Sequence, residues 1–328
     1  MRAASAGGVL LKRFIAGIAL IIAALAALLM WSPQAMDGVR RGLAVCAEVI
    51  IPSLFPFFVL GAAAGELGIW QRLAKCLGRP MSRLFGVSGA GAGALILGVT
   101  GGYPLGAASA ADLAERGVIS RAECERLLGF CNNSGPAFLI GAAGVGVFGS
   151  VRAGLVLYAA HVLAALTAGV LMRGRSGSVM STAPPIAATQ PGAFARAVTA
   201  SVRNILNVCG FVVIFSAITA ALDAAGITPR LAGELAVRAN IEIGTAKALV
   251  TGFFELGGGM SALRACSATR LNFALTALMI GWGGISVHAQ TAAVIAAVKP
   301  RAARHLAGRL LSAVFSAVYA FLLYSVAF

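Results

Sequence analysis

Two carboxylates stand inside apolar runs. Glu255 lies in TGFFELGGGM, Thr251 to Met260, far from any basic loop, and Glu48 lies four residues before Pro52 in a second such run. A charged side chain at the centre of a membrane helix costs at least about 2.5 kcal/mol, so a position that carries one has a task. Such an acid can bind a cation, titrate a proton or hydrogen-bond a solute. The alternative is an acid paired with an arginine or placed at an interface, and Glu48 is near Arg40 and Arg41. Glu48 and Glu255 are therefore the candidates for coupling to H+ or Na+, and Glu255, with Gly257 and Gly258 beside it, is also a candidate for solute contact.

Asn132, Asn133 and Ser134 run directly into Gly135-Pro136. Asn or Ser at a cap followed by Pro just inside is the pattern of a helix start. The free N–H groups and positive dipole end of a half-helix beginning there suit an anionic oxygen. The same pattern also fits a capped helix start in a loop. Thr100, Gly101, Gly102 and Tyr103 form a second break, TGGYPLGA. Ser286, His288 and Gln290 follow Gly283-Gly284 at alternate spacing, which does not put all three on one helical face. His288 is either a pH-sensitive ligand or a buried histidine with its partners supplied. Asn204 and Asn207 read as helix–helix contacts rather than ligands.

Other chemistries find no residues. The six cysteines contain no CxxC pair, and with three histidines there is no metal-ligand spacing. No HExxH, GxSxG or Walker A pattern occurs. The reading is a non-enzyme with no cofactor, and any transport is not driven by ATP bound to this chain.

The elements that must hold these residues follow from composition. Of 328 residues 59% are hydrophobic and 11% charged, and mean hydropathy is +0.90. Soluble domains carry about 25% charge, so lipid must supply the solvent here. The net charge of +15 sits mostly in short stretches between apolar runs, as topology signals and headgroup contacts do, and shows no nucleic-acid pattern. The run Phe14 to Met30, after Lys12 and Arg13, reads as a first transmembrane helix with its N-terminus in the cytoplasm. Apolar segments follow at 43–65, 87–111, 128–149, 151–172, 198–222, 245–263, 271–297 and 305–327. Those at 151–172 and 305–327 read as plain spans. The other marked segments hold Gly, Pro or polar clusters deep inside, including Pro52 and Pro56 in the first. Broken backbone at membrane depth is tolerated only against protein or a water-filled cavity. The charged stretch Asp112 to Arg126 reads as a polar connection outside the bilayer, with Ser120-x-x-Glu123 as a capping box. Arg173 to Pro191, rich in Ser, Thr and Pro, reads as a linker.

VTGGYPLG begins at Val99 and VTGFFELG at Val250, an offset of 151, and GFCNNS aligns with GWGGIS at 152. Interrupted segments at matching places in two halves point to a transporter site near the midplane. The expected fold is all-α: a polytopic transmembrane helical protein with two repeated halves and broken or re-entrant helices. Its division is 1–38 for the N-terminal helix, 39–172 for the first repeat, 173–195 for the linker and 196–328 for the second repeat.

TGGYPLGA, FCNNSGPAFLIG, the FPFFVLG run from Phe55 to Gly61, FFEL and GGISVHAQ resemble the YlbJ/SpoVV family of sporulation integral membrane proteins, within the nucleoside-recognition or Gate-domain superfamily. The resemblance runs in order from about Cys46 to Gln290. It implies two Gate-like repeats, residence in the cell membrane or the mother-cell-derived outer forespore membrane, and transport of dipicolinate (pyridine-2,6-dicarboxylate) during endospore formation. The partners implied are a small-molecule anion and the bilayer. A nucleoside-type permease and a non-transporting sporulation membrane scaffold are the alternatives. The sequence leaves the oligomeric state open.

Overall fold

The computed structural model describes residue 15, residues 17–19, residues 21–174 and residues 191–328. The beginning of the first apolar run and residues 175–190 of the expected linker lie outside the described residues. Among the described residues every regular element is helical. This is what lipid demands, since a helix satisfies its own backbone groups without water. Among the described residues five helices are long and apolar enough to cross a membrane: Ser32–Glu66, Val151–Leu171, Ala193–Ala224, Arg270–Val294 and Ala302–Leu322. The chain is an all-α polytopic membrane protein.

Helix α1 (Ser32–Glu66) runs on through Pro52 and Pro56. The sequence reading expected a break there. A π-turn at Cys46–Ile50 instead shifts the register, so that Pro52 falls in the first turn of the following α-helical stretch, where a missing N–H costs nothing. Glu48 lies on that π-turn and is exposed on the outer face of the bundle. α2 (Ile69–Pro80) follows and continues into a second π-turn at Met81–Phe85.

Two tight hairpins come next, one on each side of the 175–190 gap. In the first, α3 (Gly91–Gly101) turns at Gly102-Tyr103-Pro104 into α4 (Leu105–Glu115), and Gly98 faces Gly106 at backbone contact. A short helix α5 (Arg121–Leu127) then leads to the non-helical Asn132–Gly135, a largely π-helical segment α6 (Ala137–Phe148), and the plain span α7 (Val151–Leu171). After the gap come α8 (Ala193–Ala224) and α9 (Ile227–Ala239). The second hairpin joins α10 (Ile243–Phe254) to α11 (Leu256–Leu263) with Glu255 alone at its tip, and Gly252 faces Gly259. α12 (Arg270–Trp282) breaks at Gly283 into α13 (Gly284–Val294), and α14 (Ala302–Leu322) closes the bundle. The order hairpin, helix, break, half-helix, plain span thus occurs on both sides of the gap.

α1 packs along α8 through Gly38 and Gly42, which lie against Ser216, Ala217 and Val213. Small residues four apart let the two backbones approach, as van der Waals packing in lipid requires. An Arg196–Glu66 ion pair at 2.6 Å fastens one end of the pair.

In the stretch Asp112 to Arg126, read as a polar connection, Asp112, Glu115, Arg116 and Arg121 are exposed, and its C-terminal part packs inward. Glu123, Glu125 and Arg126 are buried. Ser120 caps α5 by accepting the Glu123 N–H at 3.2 Å, which is half of the expected capping box. The Glu123 carboxylate turns away and accepts the Ser88 N–H, and Glu125 accepts the Arg301 N–H at 2.9 Å.

Candidate solute site at the meeting of four breaks

Segments broken by Gly and Pro must find partners for their freed backbone groups, and here they find one another. Gly102 packs against Gly135, and Gly284 against Gly252 and Leu256, so each hairpin tip rests on the break of its own half. The halves are tied across by Tyr103, whose hydroxyl donates to the Ile280 carbonyl at 3.0 Å, and by Asn132, whose Nδ2 donates to Thr291 Oγ1 at 2.8 Å.

Between them lies a cavity of ≈ 70 Å³. Its polar wall is Ser53, Tyr103, Ser134, Gly135, Glu255, Gly257, Ser286 and Gln290; Val45, Ile50, Leu54, Phe138, Val208, Val212, Leu256 and Val287 supply the apolar remainder. All four breaks contribute. α6, α11 and α13 all begin at this wall, and the first N–H groups of a helix have no acceptor within it, so their positive ends converge here.

Glu255 uses one of those ends itself. Its two carboxylate oxygens accept the Gly257 and Gly258 N–H groups at 2.8 and 2.6 Å, and no ion pair to it occurs among the described residues. The acid is thus the cap of α11 as well as part of the cavity wall. Gln290 donates to Ser286 Oγ at 3.3 Å on the facing half-helix. His161 of α7 stands behind Ser134 and accepts its N–H through Nε2 at 3.1 Å, which fixes that break from the rear.

Arg309, on α14, is wholly buried and holds the centre together. Its guanidinium donates to the carbonyl oxygens of Asn132 and Gly281 and, at 2.7 Å, to the Tyr103 hydroxyl. Two backbone carbonyls and one side-chain hydroxyl, from three separate segments, are therefore held by one planar donor, a job its fork geometry suits. Sequence reading missed it because 305–327 looked plain after a basic start. The available signal was an arginine eight residues beyond Arg301, one full span-facing turn past the basic cluster, since an arginine within a span is functional by default.

Of the residues singled out from sequence, Tyr103, Ser134, Gly135, Glu255, Gly257, Ser286 and Gln290 share the cavity wall. The others do not. Thr100 faces outward and donates to its own helix at Ile96 O, 2.7 Å. Gly101 and Gly102 are buried behind the tip, where Gly102 needs its positive φ of 87° to make the turn. Gly258 stands one residue behind the wall and serves it through its N–H to Glu255. Asn132 and Asn133 are fully buried behind the wall, and Asn133 donates to Phe130 O at 2.8 Å. His288 points to the far side of α13, where its Nδ1 lies 3.0 Å from His305 Nε2 and its ring lies against Trp282. Glu48 is on the outer face of α1, away from the cavity. Asn204 and Asn207 are also off the wall. Ser286 and Gln290 are four residues apart and share a face of α13, and His288 between them falls on the other.

Asn132→Ala is expected to act on the fold. It removes the bond to Thr291 between the halves and costs about 1 kcal/mol. The melting temperature of the purified, monodisperse variant should fall; an unchanged melt with lost solute binding would instead return Asn132 to the site.

The fold and this site define a polytopic helical membrane protein whose interrupted helices meet at a small, largely apolar cavity set with a few polar groups. No family model matches the chain, and no solved structure matches it. The sporulation integral membrane protein YlbJ of Bacillus subtilis is 31% identical to it, over 89% of this chain and 78% of the relative. The chain belongs to the YlbJ family of sporulation integral membrane proteins.

Proposed function

We propose that the chain is a transporter for a small anion, that the anion is dipicolinate, and that it works at the outer forespore membrane during endospore formation. The observation that carries the reading is the convergence of three half-helix starts on one cavity, with Arg309, which has no ion-pair partner among the described residues, bonded to Tyr103 behind it. Positive helix ends and a buried guanidinium favour carboxylates and disfavour cations. Ser134, Ser286 and Gln290 add neutral donors that can orient a planar dicarboxylate.

Glu255 supports a coupling role. While ionised it occupies the Gly257 and Gly258 N–H groups. On taking up a proton it loses charge and releases donor capacity to an incoming carboxylate, so that proton and anion enter the site together. A second groove supports a route in. A ≈ 350 Å³ groove has Glu66, Asp112, Arg116 and Asn204 on its wall together with Phe58, Leu97 and Leu105, which share a core cluster with Ile50, Val208 and Val212 of the cavity wall. The central cavity is itself smaller than the roughly 300–1,000 Å³ of pockets for drug-sized ligands. Loading a ring dicarboxylate therefore involves parting the Tyr103 tip from Gly283. The matching element order on both sides of the gap supports two Gate-like repeats that move against each other about this site. Uptake of labelled dipicolinate by vesicles holding the purified chain tests the reading, with nucleosides as the competing class.

A further inference from the structure

The second π-turn and α7 enclose an apolar groove of ≈ 490 Å³ that shares no lining residue with the central cavity. Leu77, Met81, Leu84 and Phe85 form one wall and Leu166 and Val170 lie on the other. The groove ends where both helices end, and that end is cationic. Arg83 lies in the last turn before Gly86, the side chain of Arg173 packs beside Gly86, and Arg126 and Arg304 reach Gly174. Arg83 and Arg173 are exposed, while Arg126 is only 8% exposed and its Nε–H is buried without an acceptor. The nearby acids are already engaged: Glu123 by Ser88 N–H, and Glu125 by Arg301 N–H and the Arg121 guanidinium at 3.4 Å. None of the four arginines has an ion-pair partner among the described residues.

We infer that this is a binding site for one anionic glycerophospholipid, with an acyl chain in the Leu77–Leu166 groove and its phosphodiester among Arg83, Arg126, Arg173 and Arg304. A long apolar cleft that opens beside a cationic cluster at the end of a membrane span matches both parts of such a lipid. A soluble phosphate would use the arginines and leave the groove empty. The buried, unpartnered Arg126 gives the headgroup an anchor that a scattered basic surface lacks, and basic pockets between transmembrane helices are known to take anionic headgroups. The site is separate from solute recognition.

The test is native mass spectrometry and thermal melting of the purified full chain with phosphatidylglycerol, with phosphatidylcholine of the same acyl chains, and with inorganic phosphate. Phosphatidylglycerol should bind with a clear excess over phosphatidylcholine and raise the melt. Neutralising each exposed arginine should weaken it about fivefold, so the double variant R83Q/R173Q should lose most of the excess. Leu166→Trp, which fills the groove, should displace the lipid with the arginines intact. Equal binding of the two lipids, an undiminished excess in R83Q/R173Q, or a melt raised equally by inorganic phosphate would each overturn the proposal. The two arginines are exposed, so R83Q/R173Q decides the matter even if Leu166→Trp does not fold.

Discussion

Arg309→Met should lose the folded, monodisperse protein that the wild type gives, and Arg309→Lys should recover only part of it. Methionine fills the volume but removes the donor of the buried Asn132 and Gly281 carbonyls and of the Tyr103 hydroxyl. Hydrogen bonds to charged groups are worth about 1.5–3 kcal/mol each. Polar contacts between membrane helices average a lower figure, about 0.6 kcal/mol. Even on the lower scale three lost bonds cost about 2 kcal/mol, and buried carbonyls left without a donor add to that. Lysine keeps the charge, but a single ammonium cannot reproduce the planar fork across three acceptors. The measurement is the melting temperature and the size-exclusion profile of each variant at equal expression. A wild-type melt for Arg309→Met would show that the three breaks hold together without it.

Glu255→Gln should uncouple transport from its driving gradient. Glutamine keeps the shape at the hairpin tip, but its amide offers one acceptor oxygen to two N–H groups that now share a carboxylate. At least one charge-assisted bond is lost, and with it the carboxylate proposed to take up a proton. Uptake driven by an ion gradient should fall at least about tenfold, the equivalent of a 1.4 kcal/mol change, while exchange of labelled for unlabelled solute persists. A parallel fall in both assays would place the carboxylate in direct contact with solute. Wild-type behaviour in both would reduce Glu255 to a helix cap.

Much of this architecture was legible because lipid leaves a chain few options. Runs of apolar residues had to be helices, and Gly or Pro inside them had to mark breaks that face protein or a cavity. That reasoning located Tyr103, Ser134, Glu255 and Ser286, which the structure brings to one wall. It misjudged α1, where a π-turn absorbs Pro52, because the register of a π-turn leaves no mark in hydropathy. It kept Glu48 beside Glu255 as a coupling candidate, discounted only for its nearness to Arg40 and Arg41, yet the direction in which a helical side chain points depends on the partner helix: α8 covers the Gly38 and Gly42 face and leaves Glu48 outside. Asn132 and Asn133 had the right neighbourhood and the wrong depth. The capping pattern fixes where a half-helix starts, and tertiary packing decides which of its residues face the cavity. Arg309 was hidden by proximity to Arg301 and Arg304, since near a span's end an arginine reads as a headgroup contact unless its partners are known.

The most direct test of anion transport is uptake into sealed vesicles reconstituted with the purified full chain. Labelled dipicolinate should enter saturably and well above protein-free vesicles, and excess nucleoside should leave its rate unchanged. Dipicolinate entry no faster than in protein-free vesicles, with or without nucleoside uptake in the same preparation, would contradict an anion transporter of this kind.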